Sequence, residues 1–558
     1  MKPILKLLSL ACLLSLAGSP GAAGAQNVNA ATNHHPVYAS QAAPAVSATP
    51  GPYVLVAWSE LGMHCMDGKD YSVFAVLPPY NTIHAQLLKR GEPPVAVTSG
   101  VTVTYQAIAD TSGSINTTSV NKTNFWNYSR LLFQKSLPAE QGLAGYSTQS
   151  KVPHGLQFNA ALGFWEAVGI PTMPYDDAGK VNPFSMARLV AKNAAGTVLA
   201  TIDIVLPVSD EMSCKNCHAS GSDAAAKPAT GWVNNADVSK DMKLNILKKH
   251  DDRWPIAKYL FTLRTNGWTY GSSLYQTALS GTPVLCAACH SDNALSLPGV
   301  AGVESLSAAM HKLHGPQIVP ASGVSFDKAP SDVAGCYQCH PGPVTKCKRG
   351  AMNTQQCSDC HGNTTHVADA TRNPWLVEPA CQMCHNSSQR FVTTYDATGK
   401  WRQTTDTTFA TNNNVPVAGS NLFRFSTGHG KLFCSACHGS THAEFVSLQP
   451  NDNVYSMELQ GHLGKVTECV VCHTNLKVTA NGGPHGMHTI GQSWVSGHGD
   501  YAQNNRQTCA YCHGATFRGT VLSKTSMARS FKTEGGTKAF AAGKAVTCYD
   551  CHNGPNGG

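Results

Sequence analysis

The pattern of hydrophobic and polar positions divides the chain at about residue 210. Before this point, short runs rich in β-branched and aromatic residues alternate with turn residues, at positions 53–58, 94–107, 186–192 and 197–208. The last two runs flank the turn sequence Asn-Ala-Ala-Gly, which predicts a hairpin. The spacing predicts a small antiparallel sandwich of immunoglobulin-like type over residues 51–210, although another β-barrel would have the same periodicity.

Residues 211–558 have a different pattern. One amphipathic stretch, 238–249, predicts a helix that ends beside His250. Elsewhere, Gly- and Pro-rich joints interrupt the chain at short intervals. We therefore expect short helices, long irregular connections and little sheet in this region.

The first 25 residues have the features of a secretory signal peptide. Lys2 and Lys6 precede the apolar stretch 4–16, and Ala-Gly-Ala at 23–25 is a cleavage site of the expected kind. Cys12 raises the alternative of a lipid anchor, but the residue three positions before it is not aliphatic, which favours export without an anchor. The pattern predicts a periplasmic or extracellular protein.

Residues 26–50 are rich in Ala, Ser, Asn and Pro, which predicts a flexible leader. His34 and His35 lie in it and are expected to have no role. No later apolar run approaches the roughly 18 residues that a membrane-spanning helix needs. We therefore expect a mature protein that is not integral to a membrane.

The sequence Cys-x-x-Cys-His recurs nine times between residues 214 and 552. From 21 cysteines and 24 histidines in 558 residues, chance would give roughly 0.03 copies of this haem c attachment motif. The cysteine pairs are Cys214 and Cys217, Cys286 and Cys289, Cys336 and Cys339, Cys357 and Cys360, Cys381 and Cys384, Cys434 and Cys437, Cys469 and Cys472, Cys509 and Cys512, and Cys548 and Cys551.

The spacing of this motif suits covalent haem attachment. Two thiols on one turn reach the vinyl groups at one edge of a porphyrin, and the next histidine lies under the iron as its proximal ligand. Zinc ribbons also use Cys-x-x-Cys pairs, but they require no histidine after each second cysteine. We therefore expect nine c-type haems, with the proximal ligands His218, His290, His340, His361, His385, His438, His473, His513 and His552.

Ten further histidines in the same region are candidates for the second axial ligand of nine irons. They are His250, His311, His314, His366, His429, His442, His462, His485, His488 and His498. His311 and His314 lie three residues apart on one predicted helix, so each can serve a different haem. Because the number of candidate histidines is close to the number of irons, we expect bis-histidine ligation, which favours low reduction potentials.

Methionine is the rival sixth ligand and would raise the potential. Met310, Met352, Met383 and Met487 are near enough to consider. We expect them to pack against porphyrin faces instead.

Three residues outside the motifs have open roles. His64 is either a distal ligand that ties the β-rich region to the haems or a structural histidine, and the second reading is favoured. Cys65 and Cys347 are the two cysteines of the mature chain that no motif uses. They form a disulfide, as an oxidising compartment allows, or remain two thiols.

The charge of the chain does not indicate a nucleic-acid partner. The formal charge is +8, and removal of Lys2 and Lys6 leaves 39 − 33 = +6. Nine ferric haems with ionised propionates would add about −1 each and bring the total to about −3. No basic stripe with interleaved aromatic residues is present in the sequence.

On these motifs the chain resembles the large extracytoplasmic multihaem c-type cytochromes of metal-reducing and sulfur-cycling bacteria. Three further segments carry the resemblance: residues 58–65 (Trp-Ser-Glu-Leu-Gly-Met-His-Cys), 310–315 (Met-His-Lys-Leu-His-Gly) and 340–352. It implies electron transfer across the periplasm or outside the cell, between a quinol-linked or periplasmic cytochrome donor and an outer-membrane or extracellular acceptor. Some relatives stack into conducting filaments, but the β-rich region departs from that pattern.

Three functions remain after this reading of the sequence. The leading hypothesis is an electron carrier, with no residue acting in acid–base catalysis. The second is a reductase of a small oxyanion or a sulfur compound, which needs a haem with an open axial position. The third is a homo-oligomer, a conducting filament in which histidines cross between subunits.

Overall fold

The computed structural model describes residues 51–212, 214–342, 344–386, 389–402, 423–475 and 484–556. The expected signal peptide, the leader, Cys12, His34 and His35 lie outside the described residues. None of the helices within the described ranges is long and apolar enough to cross a membrane.

The N-terminal region contains two five-stranded sheets among its described residues. Its elements are β1 Tyr53–Ser59, β2 His64–Cys65, β3 Phe74–Ala75, β4 Thr82–Lys89, β5 Val95–Val97, β6 Val101–Ile108, α1 Phe125–Phe133, β7 His154–Gly155, β8 Gln157–Asn159, β9 Phe164–Val168, β10 Phe184–Asn193 and β11 Val198–Ser209. One sheet has the order β1-β4-β9-β8, with β5 also paired to β4, and the other has the order β2-β11-β10-β6-β7.

The hairpin predicted at residues 186–208 is confirmed as β10 and β11. These strands pair antiparallel, with Ala187 opposite Ile204 and Leu189 opposite Ile202. Gly196 closes the turn at φ +82°, a conformation that favours glycine. The run predicted at 94–107 instead forms two strands, β5 and β6, because the chain turns between them at Gly100, which has φ +70°.

The two sheets enclose one apolar core. Leu55 of β1, Ile83 of β4 and Ile204 of β11 are each at most 3% exposed and belong to the same cluster. Phe433 and Tyr455, from far along the chain, complete this core. The mostly antiparallel sheets agree with a β-rich region, while the immunoglobulin-like assignment stays a prediction, and β2 pairs parallel to β11.

The C-terminal region consists mainly of short helices. They are α2 Lys215–His218, α3 Val238–Arg253, α4 Ile256–Thr265, α5 Leu274–Leu279, α6 Leu306–His314, α7 Cys357–His361, α8 Thr364–Val367, α9 Cys381–Cys384, α10 Cys434–His438, α11 Pro450–Gln460 and α12 Gln492–His513. Two-stranded pairings add β12 Val284–Leu285 with β3, β13 His385–Asn386 with β14 Gln389–Arg390, and β15 Arg529–Thr533 with β16 Gly536–Phe540. The predicted helix at 238–249 is confirmed within α3.

A buried ion-pair cluster joins the two regions. The Arg424 guanidinium donates from Nε to Glu60 Oε1 at 2.8 Å and also binds the Glu378 carboxylate. The Arg424 and Glu60 side chains are each 1% exposed. Nearby, Gly62 lies so close to the carbonyl of Thr441 that an added Cβ would be 2.2 Å from that oxygen. The boundary at about residue 210 therefore marks a change in sequence pattern only. At the contacts described here, the two regions pack directly against each other.

Candidate functional site: paired histidines

Each Cys-x-x-Cys-His motif folds as a single helical turn. In five of them the backbone N–H of the histidine donates to the carbonyl of the first cysteine, at 2.9–3.2 Å, and three others lie within helices α7, α10 and α12. The five are the motifs that begin at Cys214, Cys286, Cys336, Cys469 and Cys548. This turn brings both thiols and the imidazole to one side of the backbone, as covalent haem attachment requires.

The structure places seven motif histidines opposite seven histidines from outside the motifs. The ring centroids within these pairs are 5.8–6.3 Å apart. The pairs are His218 with His314, His340 with His311, His361 with His442, His438 with His485, His473 with His429, His513 with His488, and His552 with His498.

These separations fit two imidazoles on opposite sides of one metal ion. With a metal–nitrogen bond of about 2 Å and about 1.1 Å from that nitrogen to the ring centre, the two centroids should lie about 6 Å apart. Four pairs are close to parallel, with interplanar angles of 7–27°. The other three are steep, at 60–74°.

Second hydrogen bonds orient several of these rings. Nδ1 of His311 donates to the carbonyl of Ser307 at 2.7 Å, and Nδ1 of His314 donates to the carbonyl of Met310 at 2.7 Å. Because Nδ1 carries the proton, the lone pair is left on Nε2, the atom that would bind iron. His488, His498 and His513 make the same kind of bond, to the carbonyls of Thr489, Val495 and Val546.

Burial keeps several of the paired imidazoles neutral. It lowers the pKa of His340 and of His438 to about 3, and that of His442 and of His488 to about 4. A neutral imidazole is the form that binds a metal ion. The residues present therefore fit bis-histidine haem sites.

The charge of a motif histidine also acts on His250. His250 lies in the last turn of α3. Burial lowers its pKa to about 4, and the charge of His290 lowers it further. Its ring packs edge-on against Tyr259, with centroids 5.6 Å apart. The role of His250 as an axial ligand stays a prediction, with the second motif as its nearest candidate.

In the described part of the chain, two of the ten predicted distal ligands form no ring pair of this kind with a motif histidine, although the charge of His366 acts on His361. His462 uses both ring nitrogens elsewhere: Nδ1 with the carbonyl of Leu463 at 2.9 Å and Nε2 with Glu468 at 3.0 Å. His366 packs against Tyr395 and Trp401, with centroids 5.1 and 5.5 Å away. Proximity in sequence to a motif did not determine where these rings point.

His64 and Cys65 belong to the core between the regions. His64 is 0% exposed, and its ring lies 5.8 Å from that of Tyr80. Burial lowers the pKa of His64 to about 3, and neither of its buried ring nitrogens has a hydrogen-bond partner among the described residues. The choice between a structural histidine and a distal ligand stays a prediction. Cys347 forms no bridge with Cys65, and burial raises the pKa of the Cys347 thiol to about 12. The alternative of a Cys65–Cys347 bridge is therefore corrected.

Cysteines of different motifs lie close together. The thiols of Cys336 and Cys357 and a carboxylate oxygen of Asp332 are all within 4.8 Å of one another. Elsewhere burial is the main cause of the raised thiol pKa values, and a cysteine of another motif is a further cause. Such neighbours are Cys339 with Cys214, Cys360 with Cys384, Cys381 with Cys434, Cys437 with Cys472, and Cys548 with Cys509.

These contacts give a spatial order for the motifs. The first is next to the third, the third to the seventh follow one another, and the eighth is next to the ninth. Lys465 bridges the gap between the sixth and the eighth, because its charge acts on both His438 and Cys512. Similarly, the Asp67 carboxylate raises the thiol pKa of both Cys214 and Cys286, after burial, which places the second motif beside the first. Lys465 and Asp67 belong to no sequence motif, so their positions between motifs were not predicted from the sequence.

The alternative of zinc sites finds little support in this arrangement. Within the described ranges, Asp332, Cys336 and Cys357 form the only group of three or more close metal-binding side chains. Zinc sites of the ribbon type need two Cys-x-x-Cys pairs around one ion. No family model, curated protein or solved structure matches the chain.

Proposed function

We propose that the chain is an exported electron-transfer protein that carries nine covalently bound haem c groups. The observation that carries this proposal is the one-to-one pairing of seven motif histidines with seven other histidines at 5.8–6.3 Å. If the histidines were packed at random, ring contacts between two motif histidines, or between two of the other histidines, would be expected as well.

The chain's residues have three tasks in this function. The motif cysteines attach the cofactors, and the paired imidazoles hold the iron from both sides. The contacts between motifs, such as that of Cys336 with Cys357, keep successive cofactors adjacent. When bound, haem supplies reversible one-electron chemistry, and the protein supplies spacing, ligands and burial.

The order of the motifs sets a route for electrons. It runs from the second motif through the first to the third and onward to the sixth. There it divides, towards the seventh motif and, past Lys465, towards the eighth and ninth. Partners are a periplasmic or quinol-linked donor and an outer-membrane or extracellular acceptor.

The first experiment counts the haems of the purified mature protein. We expect an intact mass with nine added haem groups, low-spin ferric signals in electron paramagnetic resonance, and no stoichiometric uptake of carbon monoxide on reduction. The variant Cys336→Ala/Cys339→Ala should lose one haem. The matched control Cys347→Ala, which changes a buried cysteine outside the motifs, should keep all nine.

Other outcomes would reject the proposal. Colourless protein, or a mass without added groups, would end the assignment of haem. Carbon monoxide uptake by several haems, together with turnover of nitrite or a sulfur oxyanion, would favour the reductase over the electron carrier.

A further inference from the structure

Helix α4 and the residues just before it expose large apolar side chains. Trp254 is 52% exposed, Ile256 36% and Phe261 70%. Exposed cations, Arg253 and Lys258 among them, lie between and beside these side chains. Large apolar side chains that cluster on a surface with a polar rim mark an interaction site.

The opposite face of α4 shows that this exposure is not a defect of folding. Leu260 and Leu263 are 6% and 3% exposed and pack in an apolar cluster with residues of the N-terminal region such as Tyr71. The Tyr259 hydroxyl donates to the Asp251 carboxylate at the end of α3. These contacts fix the inner face of α4 against the protein, while its outer face is exposed.

Three cations and two acids lie around this face. In the described part of the chain, Arg253, Lys258 and Arg264 form no ion pair with a carboxylate. The two nearest acids are engaged by backbone N–H groups: Asp252 accepts from Ala229 at 2.6 Å, and Asp251 accepts from residues 274 and 275. Both carboxylates keep their charge, so the exposed surface is apolar with a small excess of positive charge.

We propose that this surface, formed by Arg253, Trp254, Lys258, Phe261 and Arg264 and called here the α4 surface, docks onto an anionic phospholipid bilayer. Aromatic side chains favour the interface between headgroups and acyl chains, and cations bind the headgroup phosphates. Each Lys or Arg near an anionic membrane contributes about 1 kcal/mol.

The shape of the surface favours a bilayer over an acidic protein. Phe261 is 70% exposed and projects from a single helix. A fluid bilayer can surround such a projection, whereas a folded partner would need a matching pocket. The flanking cations have long side chains that reach towards phosphates while the aromatic rings insert.

Docking would bring one end of the electron route to the membrane. Tyr259 of α4 packs against His250, on which the charge of His290 of the second motif acts. A membrane-bound donor or acceptor would then meet the second motif first. This step rests on the proposed function, whereas the binding of lipid does not.

Flotation of the holoprotein with vesicles tests the proposal. We expect it to float with vesicles of phosphatidylcholine mixed with phosphatidylglycerol, and not with phosphatidylcholine alone. The variant Trp254→Ser/Phe261→Ser should weaken this binding at least about tenfold, as should Lys258→Glu/Arg264→Glu.

Matched controls change equivalent side chains elsewhere on the protein. Val392→Ser removes another apolar side chain, which is 76% exposed. Arg506→Glu/Lys532→Glu reverses two exposed cations near the C-terminus. Both controls should float like the unaltered protein, and circular dichroism and the haem spectrum should be unchanged in every variant.

Three results would overturn the proposal: no flotation with anionic vesicles, equal loss in the controls, or flotation unaffected by the α4 variants. If vesicles fail while the α4 variants slow electron exchange with a purified acidic cytochrome, the surface docks a protein instead. Because flotation detects the polypeptide and not the haem, its failure is distinguishable from failure of the haem count.

Discussion

The rings of His311 and His340 face each other with centroids 6.3 Å apart and planes only 7° from parallel. His311 is held by its Nδ1 hydrogen bond to Ser307, one turn earlier in α6. Three residues later on the same helix, His314 faces His218 of a different motif. One short helix therefore places imidazoles opposite the histidines of two motifs and sets the distance between the first motif and the third.

Replacement of His311 should change one site and leave the others intact. In His311→Ala, the imidazole opposite His340 is lost, so under the proposed function one haem of the nine would become five-coordinate. We expect one high-spin ferric signal and the uptake of one equivalent of carbon monoxide on reduction. Electron paramagnetic resonance and a carbon monoxide titration measure these two quantities.

His366→Ala is the matched control, since His366 packs against Tyr395 and Trp401. It should leave all haems low-spin. A His311 variant with no new carbon monoxide site would show that His311 is not an axial ligand.

Local features of this arrangement could be predicted from the sequence. The proximal ligands follow from a five-residue motif, and the division of His311 and His314 between two sites follows from helix geometry. The strands β10 and β11 were predictable because a turn sequence separates two β-branched runs. Each of these features depends on residues within about one or two turns of each other.

Long-range features could not be predicted in this way. His462 was a plausible ligand until its contacts with Glu468 and Leu463 were known. Cys214 of the first motif is a neighbour of Cys339 of the third motif, although the second motif lies between them in the sequence. This arrangement depends on the position of α6, whose two histidines pair with both motifs. Phe433 and Tyr455 complete the core of the β-rich region although they lie more than 200 residues after β11, and no periodicity encodes that contact.

The close contact at Gly62 should make this position intolerant of any side chain. Gly62 has φ +77°, and an added Cβ would lie 2.2 Å from the carbonyl oxygen of Thr441. We expect Gly62→Ala to lower the free energy of unfolding by at least about 3 kcal/mol, from backbone strain and overpacking together. Chemical denaturation followed by circular dichroism measures the change.

Gly196→Ala separates the two causes. Gly196 has φ +82° but would have no atom within 4 Å of an added Cβ. This variant should cost only about 1 kcal/mol, from strain alone. Equal losses in both variants would mean that the contact between Gly62 and Thr441 contributes nothing.

The buried carboxylate of Glu60 should make stability depend on pH. Burial raises the pKa of Glu60 from 4.5 to about 7, although the Arg424 guanidinium opposes this shift. Because the folded protein holds the proton more tightly than the unfolded chain, this contribution to stability is complete below pH 4.5 and is lost as the pH rises through 7. Glu60→Gln cannot titrate and still accepts the hydrogen bond from Arg424. Its stability relative to the unaltered protein should therefore rise between pH 5 and pH 8, by at most about 3 kcal/mol. Denaturation midpoints at each pH measure this difference.

Glu534→Gln, at an exposed carboxylate in the turn between β15 and β16, is the control, and its difference should stay flat. A flat difference for Glu60→Gln as well would show that Arg424 keeps Glu60 ionised throughout.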